Sequence, residues 1–332
     1  MTPRAGLPLA ARVYAELADG RFHSGEALAR SLAVSRSAVW KAAGSLRALG
    51  VTLHAVPNRG YRLPHAGEPL DAARIRELLR RDVRERLASL AVEWSLDSTN
   101  TALLGRPNPA PGRCEVLLAE VQTAGRGRRG RSWLAPPGGS LCLSLNWTFR
   151  EVPRDLSALG LAVGVCTLRA LAGLGAQGVA LKWPNDLLHD GRKLGGILID
   201  LRAEAAGPAC VVIGIGLNVA LGRDALERIA ATGTAAADLH GAGLAGVARN
   251  ALAAAVVGEC VRGLVAFGDE GLRAFLEAWN AADALRGRTV HVSVPDGGAR
   301  GVARGIDVHG ALMVETAQGV KRFVSGDVTV RT

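Results

Sequence analysis

Cysteine is sparse and unpaired in this chain: five residues, at 114, 142, 166, 210 and 260, an odd number with no CxxC spacing. That argues against a disulfide framework or a structural zinc site and fits a reducing, cytoplasmic setting. No Ser-His-Asp order, HExxH or paired-carboxylate motif appears, and the seven histidines (23, 54, 65, 189, 240, 291 and 309) have no convincing partner in the sequence. Covalent and zinc chemistry are therefore not indicated. The N-terminal MTPRAGLPLAARVYAEL lacks a charged segment leading into a sustained apolar stretch, so no signal peptide is expected. Long apolar runs are missing as well. The most apolar windows, near 158–175 and 251–266, are broken by Arg169 and by Glu259 and Arg262, and neither reads as a membrane span. Lysine is rarest among the bases: Lys41, Lys182, Lys193 and Lys321 are four of forty. Such a bias accompanies GC-rich coding, and a lysine that persists against it is either incidental or a compact point charge that is wanted.

What is present suffices for folded domains. The 332 residues are 48% apolar and 21% charged, enough for two or three units with proper cores and too apolar for wholesale disorder. The net charge of +10 is localised. Residues 1–66 hold nine bases and three acids, and the heptapeptide GRGRRGR at 125–131 holds four arginines and no acid, so the rest of the chain is neutral. Two separate places are built to meet anions, and they need not meet the same one.

The first of these reads as helix, helix, tight turn, helix and hairpin. A helical stretch from Leu9 to Leu17 ends at Asp19-Gly20. Ser24 is placed to cap a helix running to Leu32, and Ser35 a helix from Arg36 to about Leu49, stopped by Gly50. Within the latter Val39, Ala43 and Leu46 form an inward face. VTLHAVPNRGYRL then turns at Pro57-Asn58-Arg59-Gly60. This is the pattern of a winged helix-turn-helix, whose second helix enters a major groove while cations on it and on the wing meet phosphates. Ser35, Arg36, Ser37, Trp40, Lys41 and Arg59 are the candidate DNA contacts. A helical interaction domain with a solvated basic face is the alternative. Pro64-His65-Ala66-Gly67 marks the boundary, and a charged amphipathic helix is expected over Asp71 to Leu87.

The second basic place, Gly125-Arg126-Gly127-Arg128-Arg129-Gly130, matches GxGxxG letter for letter and follows an expected strand, Glu115 to Val121. A dinucleotide site needs a helix opening at those glycines, and the Pro136-Pro137 and Gly138-Gly139 that follow forbid it. No GxxxxGK[ST] is present, so a P-loop is excluded too. What remains is a loop of four guanidiniums, between strands 115–122 and 141–148, able to bind phosphate or carboxylate oxygens. Packed like charges make it mobile without an anion and ordered with a triphosphate. A nucleic-acid contact loop is the other reading of the same residues.

Further constellations lie downstream. Lys182-Trp183-Pro184-Asn185-Asp186 sits in a turn after the expected strand 178–181, offering side-chain oxygens to a hard cation or a ribose, or simply an Asx cap. Arg192-Lys193-Leu194-Gly195-Gly196 leads into an expected strand 197–201, with Lys193 against an anion or at a hairpin tip. VVIGIG at 211–216 is a buried-type strand ending in Leu217-Asn218-Val219. Asp97-Ser98-Thr99-Asn100 follows the expected strand 91–95, as a polar cluster or a helix cap.

Taken together, DSTN at 97–100, EVQTAGRGRRGRSW at 120–133, KWPNDL at 182–187, RKLGGIL at 192–198 and GIGLNV at 214–219 resemble the bacterial biotin protein ligases. FHSGEALARSLAVSRSAVWK with VPNRGYRL resembles the subclass that doubles as biotin operon repressor. The resemblance implies an α+β multidomain chain: a winged helix-turn-helix over 1–66, a mixed α/β catalytic domain of class II synthetase type over 67–283, and an SH3-like β-barrel over 284–332. It implies biotin and ATP as substrates with Mg2+, a biotin carboxyl carrier protein of acetyl-CoA carboxylase and operator DNA as partners, and a cytoplasmic homodimer. Carried over by position, Ser98, Thr99, Asn100 and Gln122 surround biotin, while Arg126, Gly127 and Arg128 form a loop closing on biotin and phosphate. Arg128 retains the reactive adenylate, Lys193 meets the biotin carboxylate and α-phosphate, Lys182 serves phosphate, Asp186 magnesium and Asn218 adenine. One departure stands out: no aromatic residue occurs in 220–239, where repressor-type members present a tryptophan over the adenine. That leaves a ligase without regulation as the alternative. A catalytically dead sensor is disfavoured by the intact loop and lysines, and a lipoate-type ligase by GRGRRG and KWPND.

Overall fold

The computed structural model of the chain describes residues 6–63, 67–202, 208–294 and 297–330. Helices α1 (Leu9–Glu16), α2 (Gly25–Ser31) and α3 (Arg36–Ala48) and the hairpin β1 (His54–Val56) and β2 (Gly60–Arg62) make the N-terminal unit. Both serine caps form, Ser24 Oγ accepting from the Ala27 amide at 3.0 Å and Ser35 Oγ from that of Ala38 at 3.2 Å. Val39, Ala43 and Leu46 are buried, and Gly50 takes the left-handed conformation (φ +88°) that ends the helix. The Pro64-His65-Ala66 boundary lies outside the described residues.

The single helix expected over Asp71 to Leu87 is not there. Asp71 caps α4 (Ala72–Leu78), Leu79 turns extended (φ −72°, ψ 142°), α5 (Arg81–Arg84) is one turn, and Leu87 already begins strand β3 (Leu87–Leu96). Ile75, Leu79, Val83 and Leu87 are all core residues, so the segment is anchored to the main core and is not a solvated connecting helix. Packing against the main core overrode helix propensity at Leu79 and Leu87, where the chain must enter the sheet.

After β3 come α6 (Thr99–Leu104), β4 (Cys114–Gln122), β5 (Ser140–Thr148), α7 (Leu159–Gly173), β6 (Val179–Lys182), β7 (Asp186–His189), β8 (Arg192–Arg202), β9 (Cys210–Asn218), α8 (Arg223–Ala230), α9 (Arg249–Glu270) and α10 (Leu276–Ala282). The strands form one mixed sheet, ordered β3-β4-β5-β9-β8-β7-β6, with β3 and β4 parallel and the remaining pairs antiparallel. β8 starts at Arg192, so RKLGG lies within the strand instead of before it. Glycine is required there: a Cβ on Gly195 would stand 2.6 Å from Leu217 Cδ2 and 2.8 Å from the Gly216 carbonyl. The helical stretches Leu156–Gly173 and Arg249–Ala282, which contain α7 and α9, are long and apolar enough to span a bilayer by length and composition alone. In the fold they pack on one another over one face of the sheet, contributing Leu161, Val165, Val257, Val261 and Leu264 to the main core.

The C-terminal unit is a five-stranded antiparallel sheet of β10 (Thr289–Val294), β11 (Gly297–Ile306), β12 (Leu312–Thr316), β13 (Gly319–Phe323) and β14 (Asp327–Val330), ordered β13-β12-β11-β10-β14. It is joined to the central sheet through Trp183, whose buried indole donates to the Gly310 carbonyl at 3.0 Å.

Candidate active site

The ends of β4, β5, β8 and β9, the β6–β7 turn and the segment after α8 enclose a cavity of about 920 Å³. Eleven residues singled out in the sequence line it: Ser98, Thr99, Asn100, Gln122, Arg126, Gly127, Arg128, Lys182, Asp186, Lys193 and Asn218. The six candidate DNA contacts are elsewhere. Arg36, Ser37, Trp40 and Lys41 are exposed on α3, Trp40 at 66%, and Ser35 is spent on capping that helix. Arg59, at the hairpin tip, lies 4.2 Å over the Phe22 ring.

At one end of the cavity a hydrogen-bonded cluster is already assembled. Ser98 caps α6, which directs Thr99 and Asn100 onto the sheet. Gln122 Oε1 accepts from the Thr99 amide at 2.8 Å and its hydroxyl at 3.1 Å. Ser144 Oγ lies 2.6 Å from both Thr99 Oγ1 and Asn100 Oδ1, and Asn100 Nδ2 donates to Asp200 Oδ2 at 2.9 Å. Side chains fixed this way have little rotamer freedom left to lose on meeting a polar ring.

The wall beside it is aromatic. Trp133 lies against β9, where a Cβ on Gly216 would come within 2.5–2.8 Å of its ring. Its Nε1 is buried with no oxygen or nitrogen partner, beside the Cys142 thiol. Lys193 Nζ sits 5.9 Å over the same ring and 2.7 Å from Asp186 Oδ1. Asn218 is buried, donating to the carbonyls of Lys193 at 3.2 Å and Ala237 at 2.9 Å, with Oδ1 unpartnered.

The arginine loop runs along the mouth. Arg128 to Gly130 form one 3-10 turn with Arg129 left-handed (φ +53°), Arg126 bridges Ser132, and no helix opens at the glycines. Carboxylates of the protein face the loop, Arg126 meeting Asp200 at 3.3 Å and Arg129 meeting Asp327 at 2.9 Å. Arg128 Nη1 instead donates to the neutral Asn185 Oδ1 at 3.1 Å. Burial, with Arg129 and Arg131 nearby, holds the Arg128 pKa below its ordinary value against the pull of Asp327 and Asp186. Burial likewise lowers Lys182, with Lys193 adding to it and Asp186 opposing. Cations made less favourable in this way are the ones a bound polyanion relieves.

Sequence reasoning missed Trp133, Ser144, Asp200 and Asp327 as parts of this arrangement, whereas Asn185, expected to offer its oxygen to a cation or a ribose, accepts from Arg128. Only Trp133 had left a trace, since a large ring implies facing glycines and the strand motif GIG supplies them. Three histidines also have partners the sequence did not announce, His23 with Asp19 at 2.9 Å, His309 with Asp155 at 3.0 Å and His189 with Asp190 at 3.4 Å, none of them lining the cavity.

A cavity with a fixed amide-hydroxyl end, an aromatic wall and a cationic mouth, flanked by a helix-turn-helix and a small β-unit, defines an acid-activating ligase with a DNA-binding domain attached. Residues 93–218 match the biotin/lipoate A/B protein ligase family, residues 11–62 an HTH domain and residues 286–331 the biotin protein ligase C-terminal domain. The chain is 38% identical to the bifunctional ligase/repressor BirA of Salmonella typhimurium over 95% of each chain, and 37% identical to BirA of Escherichia coli over 97% of each. The biotin protein ligase of Aquifex aeolicus, solved with biotin and ATP, superposes with a TM-score of 0.61 at 25% identity, covering 74% of this chain and 99% of that one. This chain belongs to the biotin protein ligase family and has the domain order of its bifunctional ligase/repressor members.

Proposed function

We propose that the protein joins biotin to a carrier protein in two steps and also represses biotin synthesis genes. In the first step a biotin carboxylate oxygen attacks the α-phosphorus of ATP, pyrophosphate leaves, and biotinyl-5′-AMP forms. In the second, the ε-amine of a lysine on the biotin carboxyl carrier protein of acetyl-CoA carboxylase attacks the mixed anhydride and AMP leaves.

The observation that carries this reading is the joining, in one cavity, of a prearranged polar cluster to a set of cations, of which Arg128 faces no carboxylate. An anion attacking a polyanion requires positive groups in place before the reaction, and each well-aimed donor is worth about 10²–10³ in rate. The Ser98-Thr99-Asn100 and Gln122 cluster would bind the ureido ring, with Trp133 against the apolar rings. Lys193, released from Asp186 by the incoming charge, would hold the carboxylate against the α-phosphate. Arg126, Gly127 and Arg128 would close over the adduct, Arg128 excluding water from the anhydride. Lys182 would meet phosphate oxygens, and the unpartnered Asn218 Oδ1 would accept from the adenine amine. For magnesium the donor set is thin: among the described residues no group of three or more His, Cys, Asp or Glu could hold a metal. That fits an ion carried mainly by phosphates, with Asp186 as its protein ligand, and the ion would supply charge neutralisation.

The exposed cations of α3 and the hairpin tip support operator binding, and we read the working form as a cytoplasmic homodimer on that DNA. A ligase-only reading draws on the absence of any aromatic from 220–239.

Purified protein incubated with biotin, Mg·ATP and an apo carrier domain should give an avidin-reactive carrier; no labelling of any acceptor refutes the ligase. Biotin plus ATP should promote a mobility shift of the chain's own biotin-synthesis promoter that weakens steeply with salt. No shift under any ligand condition leaves ligase only.

A further inference from the structure

The four guanidiniums of the arginine loop have different partners. Arg126 is forked onto Asp200 of β8, with both contacts at 3.3 Å. Arg129 Nη1 lies 2.9 Å from Asp327 Oδ2, and Arg131 donates to the same oxygen. Arg128 alone faces no carboxylate, only the amide oxygen of Asn185. Asp200 belongs to the central sheet, whereas Asp327 is the first residue of β14 in the C-terminal sheet, opposite Ser293 of β10. The acid is therefore aimed by a hydrogen-bonded strand. One carboxylate against two cations leaves a net positive charge, so the contact holds the loop without cancelling its attraction for phosphate. Arg129, Arg131 and Asp327 are partly exposed, at 40%, 64% and 35%, so the pairing is strong enough to bias the loop and weak enough to be exchanged.

We propose that Asp327 is a positioning residue of the ligation reaction, the latch by which the C-terminal domain holds the arginine loop over the cavity so that Arg128 faces the acyl-phosphate. Its role in catalysis rests on the ligase reading above; its role in holding the loop does not. Asp327 acts through Arg129 and Arg131. The competing account makes Asp327 only a negative charge on the cavity wall that repels phosphate.

The two accounts separate in the full-length protein carrying Asp327→Asn, with Asp327→Glu as the conservative control. The loop offers trypsin four arginines, so brief digestion without substrates reads the latch directly. Loss of two partly exposed ion pairs should speed cleavage at 126–131 roughly three- to tenfold in Asp327→Asn, with other sites unchanged and Asp327→Glu close to wild type. With biotin and Mg·ATP but no acceptor, release of free adenylate should rise by a similar factor. Cleavage at the wild-type rate in Asp327→Asn, with tighter nucleotide binding, overturns the latch in favour of simple repulsion. A wild-type protein that makes no adenylate overturns the ligase reading instead, while the digestion still decides whether Asp327 holds the loop.

Discussion

Replacing Arg249 with methionine removes the cation from a charge pair lying where the N-terminal linker, the sheet and the exit of the arginine loop meet. Arg249 Nη1 is 2.8 Å from Glu120 Oε2, and the two side chains are 2% and 4% exposed. Burial works against the Arg249 charge, but Glu120, helped by Tyr14, outweighs it and raises the pKa. Arg249 Nη2 also donates to the Ser140 carbonyl at 2.9 Å, and Glu120 Oε1 accepts from the Leu70 amide at 2.6 Å. Stripping one partner from a buried pair costs about 3–5 kcal/mol, because the other charge stays buried uncompensated. The Ser140 carbonyl loses its partner for about 1–3 kcal/mol more, offset by removal of the Arg249 Nε–H, a donor that is itself buried and unpartnered. The net expectation is about 3–5 kcal/mol, a melting point lower by roughly 6–20 °C for a unit of this size. Arg249→Met with Glu120→Leu removes both charges and leaves only the Leu70 amide and Ser140 carbonyl unpaired, about 2–6 kcal/mol. Each single change should thus cost 3–5 kcal/mol while the pair costs far less than their sum. Urea or thermal denaturation of the three variants measures the cycle. A single-variant loss under about 1 kcal/mol, or strict additivity, would refute the account of this pair.

Arg128→Ala should raise leakage of free adenylate about 10- to 100-fold, the worth of a charge-assisted hydrogen bond, whereas Lys193→Ala should slow adenylate formation; single-turnover kinetics separate the two. Gly216→Ala places a Cβ within 2.8 Å of the Trp133 ring and pushes it into the cavity. Overpacking of about 1–3 kcal/mol predicts a biotin KM raised roughly tenfold and a melting point lower by roughly 2–12 °C, measurable by steady-state assay and calorimetry. Burial pushes the Cys114, Cys142 and Cys166 thiols up to about 12 and Cys260 well above its ordinary value, and Cys210 is buried too, so native protein should show no fast-reacting thiol towards a disulfide reagent at neutral pH, and five after denaturation. Partial burial works to raise the Asp307 carboxyl, but the Ala311 and His309 amides and Arg322 outweigh it and hold its pKa below the ordinary value. Its stabilisation is therefore full above the unfolded value, about 3.9, and lost as pH falls through the depressed one. Asp307→Asn should flatten that acid limb in melting curves taken against pH.

Local chemistry was legible in the sequence, and distant pairing was not. Ser24 and Ser35 cap their helices as expected because a cap involves neighbours three residues away. The apolar runs around 115–121, 141–148 and 211–216 became β4, β5 and β9 because strands buried on both faces read as continuous hydrophobic segments. The cavity lining was legible only through the motifs taken together, since each one alone reads equally well as a cap, a hairpin tip or a solvated loop. The break at Leu79 was not, because the packing that imposes it comes from the rest of the core. Asp327 looks like an ordinary acid after a turn in VSGDVTV, and nothing near it hints at Arg129, 198 residues earlier. Asp200 is hidden in the same way, alternating with leucines in β8 while its partner Arg126 is 74 residues away.

The missing aromatic of 220–239 acquires a structural meaning from what holds that segment. The Lys193 amide donates to the Ala235 carbonyl at 2.8 Å, and the Lys193 carbonyl accepts from the Ala237 amide at 2.9 Å. With Asn218 Nδ2 on the Ala237 carbonyl, the segment is stitched to the strand that carries the lysine. On the function proposed above, a wall fixed by backbone bonds would gain little further order when nucleotide arrives, and retention of the adenylate would fall to Trp133 and the arginine loop on the opposite side. Any influence of that loop on the DNA-binding unit then has a short covalent and packed route. Gly138, at the loop's exit, lies against the Tyr14 hydroxyl of α1, and Tyr14 in turn packs on Trp94 with ring centroids 5.6 Å apart. The neighbouring Gly139 carbonyl accepts from Val219 and Ala220, tying the same turn to the end of β9. Repression by this chain would therefore depend on the loop's exit and Tyr14 more than on a lid over the adenine, and the coupling energy between them, measured by Tyr14→Phe and Gly138→Ala in a double-mutant cycle on DNA affinity, is the quantity that separates a repressor from a ligase with a DNA-binding fold.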